Sequence, residues 1–345
     1  MIRQGGAGAT SPITDFLDNT LTPGAFSVRH WKLPDGTAVS ILALGAIELT
    51  PANPAATDRL LLSCGIHGND TAPVEVVNDL LKDLLSGALT LSCHLMVLYG
   101  NPQAMRQGER YLDYDMNRLF NGAHADHAGA RESHRAAALE RLAERLFATA
   151  PTGARRLHFD LHTDVRGSVF EPFAIYPCLH HRTHNRTQFA WLQSCGIDTI
   201  LLHNKPANVF SYFTSRTFGV DALTLELGRA RPFGHNRPGD FASIARALRK
   251  LVSEPFPVQA PDESRLRLFS TKYDLIKHSD AFVLHLDDAV ENFALLPDGF
   301  VIAEEGAKRY VARGGNERIL FPAAGVKNGL RAGIVVEPAD LLHMA

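Results

Sequence analysis

The chain has 345 residues, of which 45% are apolar and 21% are charged. Such a composition excludes a mainly disordered chain, and the length suits two domains or one large domain with an appendage. With 35 basic and 37 acidic residues and a formal net charge of -2, no overall positive field exists to attract nucleic acid, so that partner class is excluded.

The opening segment MIRQGGAGATSP has no apolar core and does not read as a secretory signal. No apolar run approaches the roughly 18 residues of a membrane span, so no membrane partner is expected. The four cysteines form no C-x-x-C pair, which fits a reducing cytoplasm. Arg59–Ile66 is a short apolar run read as a buried strand, and Thr71–Leu85 is read as a helix with Pro73 in its first turn and Asp70 or Thr71 as its cap. Leu91–Tyr99 follows as a strand. Arg131–Thr149 is a helix, with Leu139, Leu142, Ala143, Leu146 and Phe147 on one face. His158–His162, Asp198–His203 and Asp221–Leu227 are further strands, and a last helix begins after Asp240. This alternation predicts an α/β fold with helices on both faces of a mostly parallel or mixed sheet.

Pro255, Pro257 and Pro261 mark a boundary. Beyond it, short β-type runs (RLRLF, AFVLHL, GFVIAE, RYVAR, RILF, GIVVE) alternate with turn residues. The expected division is a larger domain over 1–255 and a small β-rich domain over 256–345. Gly122–Ala130 reads as a flexible loop near the site, and His180–Arg186 as a solvated loop or helix start.

His67 stands out among the histidines by its position just past a buried strand, in CGIHGND. Ligands in open α/β sheets bind at the carboxyl ends of strands. The H-x-x-D spacing of His67 and Asp70 lets a tight turn aim an imidazole and a carboxylate at one point. An open catalytic zinc site commonly takes two histidines and one carboxylate. His162, ending the strand of FDLHTD, is the candidate distant ligand, and Asp160 on the same strand face is a candidate acceptor for its other ring nitrogen. The plainer reading of Asp70 is a helix N-cap; that of Glu226, which closes an apolar strand, is a paired structural carboxylate.

Four strings in order, HGNDTAPVE, NPQAMRQGERYLDYDMNRLF, DLHTDVRGS and TLELGRA, resemble the succinylglutamate desuccinylase/aspartoacylase family of the zinc carboxypeptidase superfamily. The resemblance implies an α/β/α sandwich of zinc-carboxypeptidase type with a mixed central sheet, plus a small C-terminal β domain. It implies one Zn2+ per chain on His67, Asp70 and His162, with Glu226 as general base and acid and Arg110 as oxyanion partner. Asn117 and Arg118 match the family's carboxylate-holding pair. Arg216 and Tyr212 stand where the aspartoacylase branch has a carboxylate-binding arginine and tyrosine. One departure is HGND where the family usually has HGNE, and aspartate is one methylene shorter.

The implied activity is a cytoplasmic zinc-dependent amidohydrolase of a small anionic N-acyl amino acid. The desuccinylase branch would split N2-succinyl-L-glutamate into succinate and L-glutamate in arginine breakdown. An aspartoacylase-like deacylase of another N-acyl amino acid and a metal-free binding protein of the same fold are the alternative readings. Oligomeric state is not legible.

Overall fold

A computed structural model describes residues 13–53, 57–256 and 258–340. The opening segment MIRQGGAGATSP and Pro257 lie outside the described residues. Helix α1 (Phe16–Leu21) precedes β1 (Arg29–Lys32), β2 (Ala38–Ala43) and β3 (Ala46–Thr50). Then β4 (Arg59–Cys64) leads to α2 (Thr71–Ser86), β5 (His94–Tyr99) to α3 (Pro102–Gln107), and α4 (Arg131–Ala148) to β6 (Arg156–Asp164). The series β7 (Phe173–Tyr176), α5 (Arg186–Ser194), β8 (Thr199–Leu202), α6 (Phe210–Phe218), β9 (Asp221–Arg229) and α7 (Ala242–Ser253) follows. The C-terminal part holds β10 (Arg267–Ile276), β11 (Phe282–Leu284), β12 (Ala294–Leu295), β13 (Val301–Glu305), β14 (Lys308–Val311), β15 (Arg318–Leu320) and β16 (Arg331–Pro338).

Among the described residues, thirteen strands form one mixed sheet in the order β1-β2-β3-β5-β4-β6-β9-β7-β8-β10-β16-β15-β12. Its centre is parallel, β5, β4, β6 and β9 running together. The period-2 alternation of β4 divides two cores: Leu60, Leu62 and Cys64 pack toward α2 and α7, while Leu61 packs toward α4 and Phe210 of α6. Leu95, Val97 and Tyr99 of β5 likewise face the first core, and Met96 and Leu98 the second. Burial on both faces explains why these strands read as continuous apolar runs. The fold is therefore the expected α/β/α sandwich.

The small C-terminal β domain has its own core around Leu275, Ile302, Ile319 and Val335. It shares the edge of the central sheet, because β10 pairs in parallel with β8 and antiparallel with β16. A separate three-stranded sheet, β11-β13-β14, completes it. Among the described residues no helix is long and apolar enough to cross a membrane.

Two local expectations are corrected. Residues Ala123–His127 form a 3-10 turn held to α4 by His124 and Glu140 at 3.2 Å, and do not line the cavity described below. Asp70 occupies the N-cap position of α2, but its side chain makes no capping hydrogen bond. The Thr71 hydroxyl does not cap the helix either: it donates to the Arg231 carbonyl.

Candidate metal centre

Parallel pairing of β4, β6 and β9 brings their carboxyl ends to one side, with His162 directly opposite Glu226. After β4 the chain turns at Gly65, whose φ of +62° is the left-handed region that suits glycine. Gly68 then passes so close to α3 that a Cβ there would lie 2.4 Å from backbone atoms of Ala104 and Met105. Its N–H donates to the Arg110 carbonyl at 3.0 Å, which ties the His67 turn to the Arg110 loop.

At this edge three side chains converge. Asp70 Oδ2 lies 3.2 Å from His67 Nδ1 and 3.0 Å from His162 Nδ1. Asp70 Oδ1 accepts from the Thr163 hydroxyl at 3.1 Å. All three residues are buried, and their candidate ligand atoms lie within 4.8 Å of one another. Each imidazole has its second nitrogen against another carboxylate: His67 Nε2 is 3.0 Å from Asp115 Oδ1, and His162 Nε2 is 3.0 Å from Asp160 Oδ2. Burial pushes the Asp70 carboxyl up, but hydrogen bonds from His162 and His67 outweigh it and hold the group well below the usual carboxylate range. Burial alone would lower His162; the adjacent Asp160 and Asp70 carboxylates instead hold it well above the usual imidazole value.

This donor set fits a divalent metal. Two imidazole nitrogens and one carboxylate oxygen match an open catalytic zinc site. A carboxylate behind each histidine orients the ring and raises its basicity. The shorter aspartate, at the start of α2, reaches both rings with one oxygen. Behind Asp160 a buried chain continues: the Ser63 hydroxyl donates to Asp160 at 2.5 Å and contacts His158 Nε2 at 2.8 Å. His158 Nδ1 is 2.8 Å from the Thr214 hydroxyl, and burial lowers this imidazole to about 4.

Above the cluster lies a cavity of about 360 Å³, lined by His67, Arg110, Asn117, Arg118, Tyr212 and Glu226 among others. Glu226 is 8% exposed, and its Oε2 has no hydrogen-bond partner. Burial pushes its carboxyl up to about 8, opposed by His162 and reinforced by Asp164 and Asp70. A structural carboxylate would be paired; this one is not. Asn117 Oδ1 accepts from the Phe210 N–H at 3.3 Å, which fixes the start of α6 to the cavity wall. Arg118 Nη2 stands 3.8 Å from Asp115 Oδ2, so Asp115 links it to His67. The Tyr212 hydroxyl is 2.9 Å from His180 Nε2.

Arg216 is the candidate that the structure does not bring in. It is exposed on α6, with Nη1 3.3 Å from Asn121 Oδ1, and is absent from the cavity wall. Other residues do line it that the sequence reading did not single out: Asp115, Arg166, Lys205 and Arg331. Lys205 follows the carboxyl end of β8, so the strand-end argument used for His67 and His162 would have found it. Arg331 comes from the C-terminal domain, and no local pattern points to it.

Comparison with known proteins agrees with the geometry. Residues 56–252 match the family model described as the succinylglutamate desuccinylase/aspartoacylase catalytic domain, and residues 264–339 match the AstE/AspA barrel-sandwich hybrid domain. The chain is 60% identical over 328 residues to a succinylglutamate desuccinylase of Chromobacterium violaceum, covering 94% of this chain and 97% of that one. It is 48% identical over 331 residues to that of Pseudomonas aeruginosa, covering 94% and 98%. The crystal structure of the C. violaceum protein superposes with a TM-score of 0.86 at 56% identity, covering 96% of this chain and 99% of that one. The Vibrio parahaemolyticus structure gives a TM-score of 0.87 at 30% identity, with 94% and 95% covered. On its sequence, its fold and the extent of these matches, the chain belongs to the succinylglutamate desuccinylase/aspartoacylase family.

Proposed function

We propose that the protein is a zinc-dependent hydrolase that adds water across the amide of N2-succinyl-L-glutamate, releasing succinate and L-glutamate. The observation that carries the reading is a buried, unpaired Glu226 beside the His67–Asp70–His162 cluster, under a cavity rich in arginine. His67, Asp70 and His162 would hold the zinc, which when bound supplies Lewis acidity toward water and the amide carbonyl.

The other steps belong to the chain's own side chains. Glu226 takes a proton from the attacking water and returns it to the leaving nitrogen of glutamate. Burial raises this carboxyl, which favours its holding the proton that it returns to the leaving nitrogen. Arg110 lines the cavity close enough to Glu226 to act on its charge, which supports a role beside the carbonyl oxygen as it becomes negative. Arg118 grips a substrate carboxylate through its planar fork. Asn117 spends its carbonyl oxygen on Phe210 and keeps its amide N–H groups for the same carboxylate. Tyr212 completes that wall, and Arg216 has no part in it.

The cationic lining, which includes Arg110, Arg118, Lys205 and Arg331, supports a substrate with three carboxylates over N-acetylaspartate with two. The relatives' names support the succinylglutamate substrate; arginine breakdown in the cytoplasm is the setting that the family resemblance implies. The same reading divides the chain into a catalytic part over 1–255 and a C-terminal part over 256–345, supported by the two separate family matches.

The test is release of primary amine by zinc-loaded protein offered N2-succinylglutamate, N-acetylaspartate and N-acetylglutamate in parallel. Preference for the succinyl compound is expected. Preference for another moves the specificity, and no turnover of any with zinc bound overturns the reading.

A further inference from the structure

Among the cations on the cavity wall, Arg166 is held by the carbonyl and carboxylate of Asp288, while Lys205 and Arg331 have no assigned place in the reaction. Lys205 lies in the loop after β8, and Arg331 opens β16. The two strands flank β10 in the sheet, and β10 carries Asp274 between them. Asp274 Oδ2 accepts from Lys205 Nζ at 2.9 Å, and Asp274 Oδ1 is 3.7 Å from Arg331 Nη1. A further tie, from Asn204 Nδ2 to the Thr271 carbonyl at 2.8 Å, holds the Lys205 loop to β10. One carboxylate is thus shared by two cations, leaving this wall with a net positive charge.

His203 also lines the wall, and its Nδ1 donates to the Lys205 carbonyl at 2.9 Å, which steadies the loop that carries Lys205. Arg331 stands close enough to Arg118 to feel its charge: burial first, and then Arg118, lower its guanidinium to about 10. A carboxylate placed among these groups relieves that repulsion.

We propose that Lys205 and Arg331, braced by Asp274, form a second carboxylate subsite that recognises the side-chain carboxylate of the substrate's amino acid half. The inference rests on the hydrolase reading above. If Arg118 holds the α-carboxylate, a cation neighbouring it meets the other carboxylate of the same amino acid. The succinyl carboxylate lies across the scissile bond. The subsite takes the place that Arg216, exposed on the outside of α6, does not fill. It also makes the C-terminal domain a direct part of substrate selection.

The experiment compares kcat/KM for N2-succinylglutamate, N2-succinylglutamine and N-butyrylglutamate in the zinc-loaded wild type, Arg331→Met and Lys205→Met. The glutamine compound removes the side-chain charge, and the butyryl compound removes the charge at the acyl end. In the wild type a preference for succinylglutamate over succinylglutamine is expected. Each substitution should shrink that preference by about 10- to 100-fold, the worth of a hydrogen bond to a charged group. The discrimination between succinyl and butyryl should stay unchanged. If the loss falls on succinyl against butyryl instead, or equally on all three substrates, the assignment is overturned. Lys205→Met alters a side chain that is 43% exposed and keeps the test open if Arg331→Met does not fold. Failure of the wild type to cleave any succinyl compound would sink the hydrolase reading itself, an outcome distinct from failure of the subsite.

Discussion

At the scale of single residues, the site depends on what each polar atom has for a partner. Glu226 is buried with one oxygen unpaired, which a purely structural carboxylate could not sustain without cost. Glu226→Gln should lower kcat by about 10²- to 10⁴-fold, while zinc content, measured by metal analysis, stays at the wild-type level. A variant that loses its zinc together with its activity would show the residue to be a structural support of the cluster. Asp115 and Asp160 act differently, each against the far nitrogen of a candidate ligand histidine. Asp115→Asn should weaken zinc binding by about 10- to 100-fold in a chelator competition. It should also raise KM, because the same carboxylate faces Arg118. Unchanged zinc affinity would show that His67 needs no brace. His67, Asp70 and His162 were legible as candidates because each stands at or just past the end of an apolar strand, whereas Glu226 was singled out only by the family resemblance. Asp115 was visible only as one letter of a matched string, since its role lies in reaching a histidine 48 positions away.

At the scale of elements, the turn between β4 and α2 carries the site, and its glycines decide its path. Gly68→Ala would drive a methyl group into the backbone of Ala104 and Met105. The expected cost is about 1–3 kcal/mol of stability, read as a lower urea midpoint, together with weaker zinc binding as His67 is displaced. A variant with wild-type midpoint and zinc affinity would show that α3 gives way freely. The elements read correctly from sequence are those with strong periodicity or apolar runs: β4, α2, β5, α4, β6, β8, β9 and α7, and in the C-terminal part the start of β10 and β11, β13, β14, β15 and β16. Those not read have a physical reason for being silent. Strand β7, FAIY, is a short run between Pro172 and Pro177, and the prolines make the stretch read as loop. Helix α6, FSYFTSRTF, is made of aromatic and hydroxyl residues of poor helix propensity, and forms because Phe210 and Tyr212 are buried. Strands β1 and β2 alternate intermediate with exposed or buried positions, and gain their place only through β3, which pairs onto β5.

At the scale of the whole molecule, buried histidines couple folding to pH. His158 is fully buried between the Ser63 and Thr214 hydroxyls, and burial lowers it to about 4 from an ordinary 6.5. A depressed imidazole means that the unfolded chain takes up the proton first. Its contribution to stability is complete above 6.5 and is lost as pH falls toward 4, at roughly 1.4 kcal/mol per unit. His158→Asn should therefore lose less stability than the wild type between pH 7 and pH 4.5, measured by urea unfolding of the metal-free proteins. Equal losses would mean that His158 is already charged in the folded state.

The sequence alone determined the candidate site residues, because donor type, H-x-x-D spacing and position at a strand end are local properties and the ordered motifs of the family resemblance add the rest. It also determined the layered fold, because apolar period and turn residues are local too. Only the tertiary structure decided that Asp70 turns to the histidines instead of capping its helix. Only it placed Arg216 in solvent and brought Lys205 and Arg331 to one wall. Those outcomes depend on sheet order and register, which join residues far apart in the chain through contacts that no local pattern encodes.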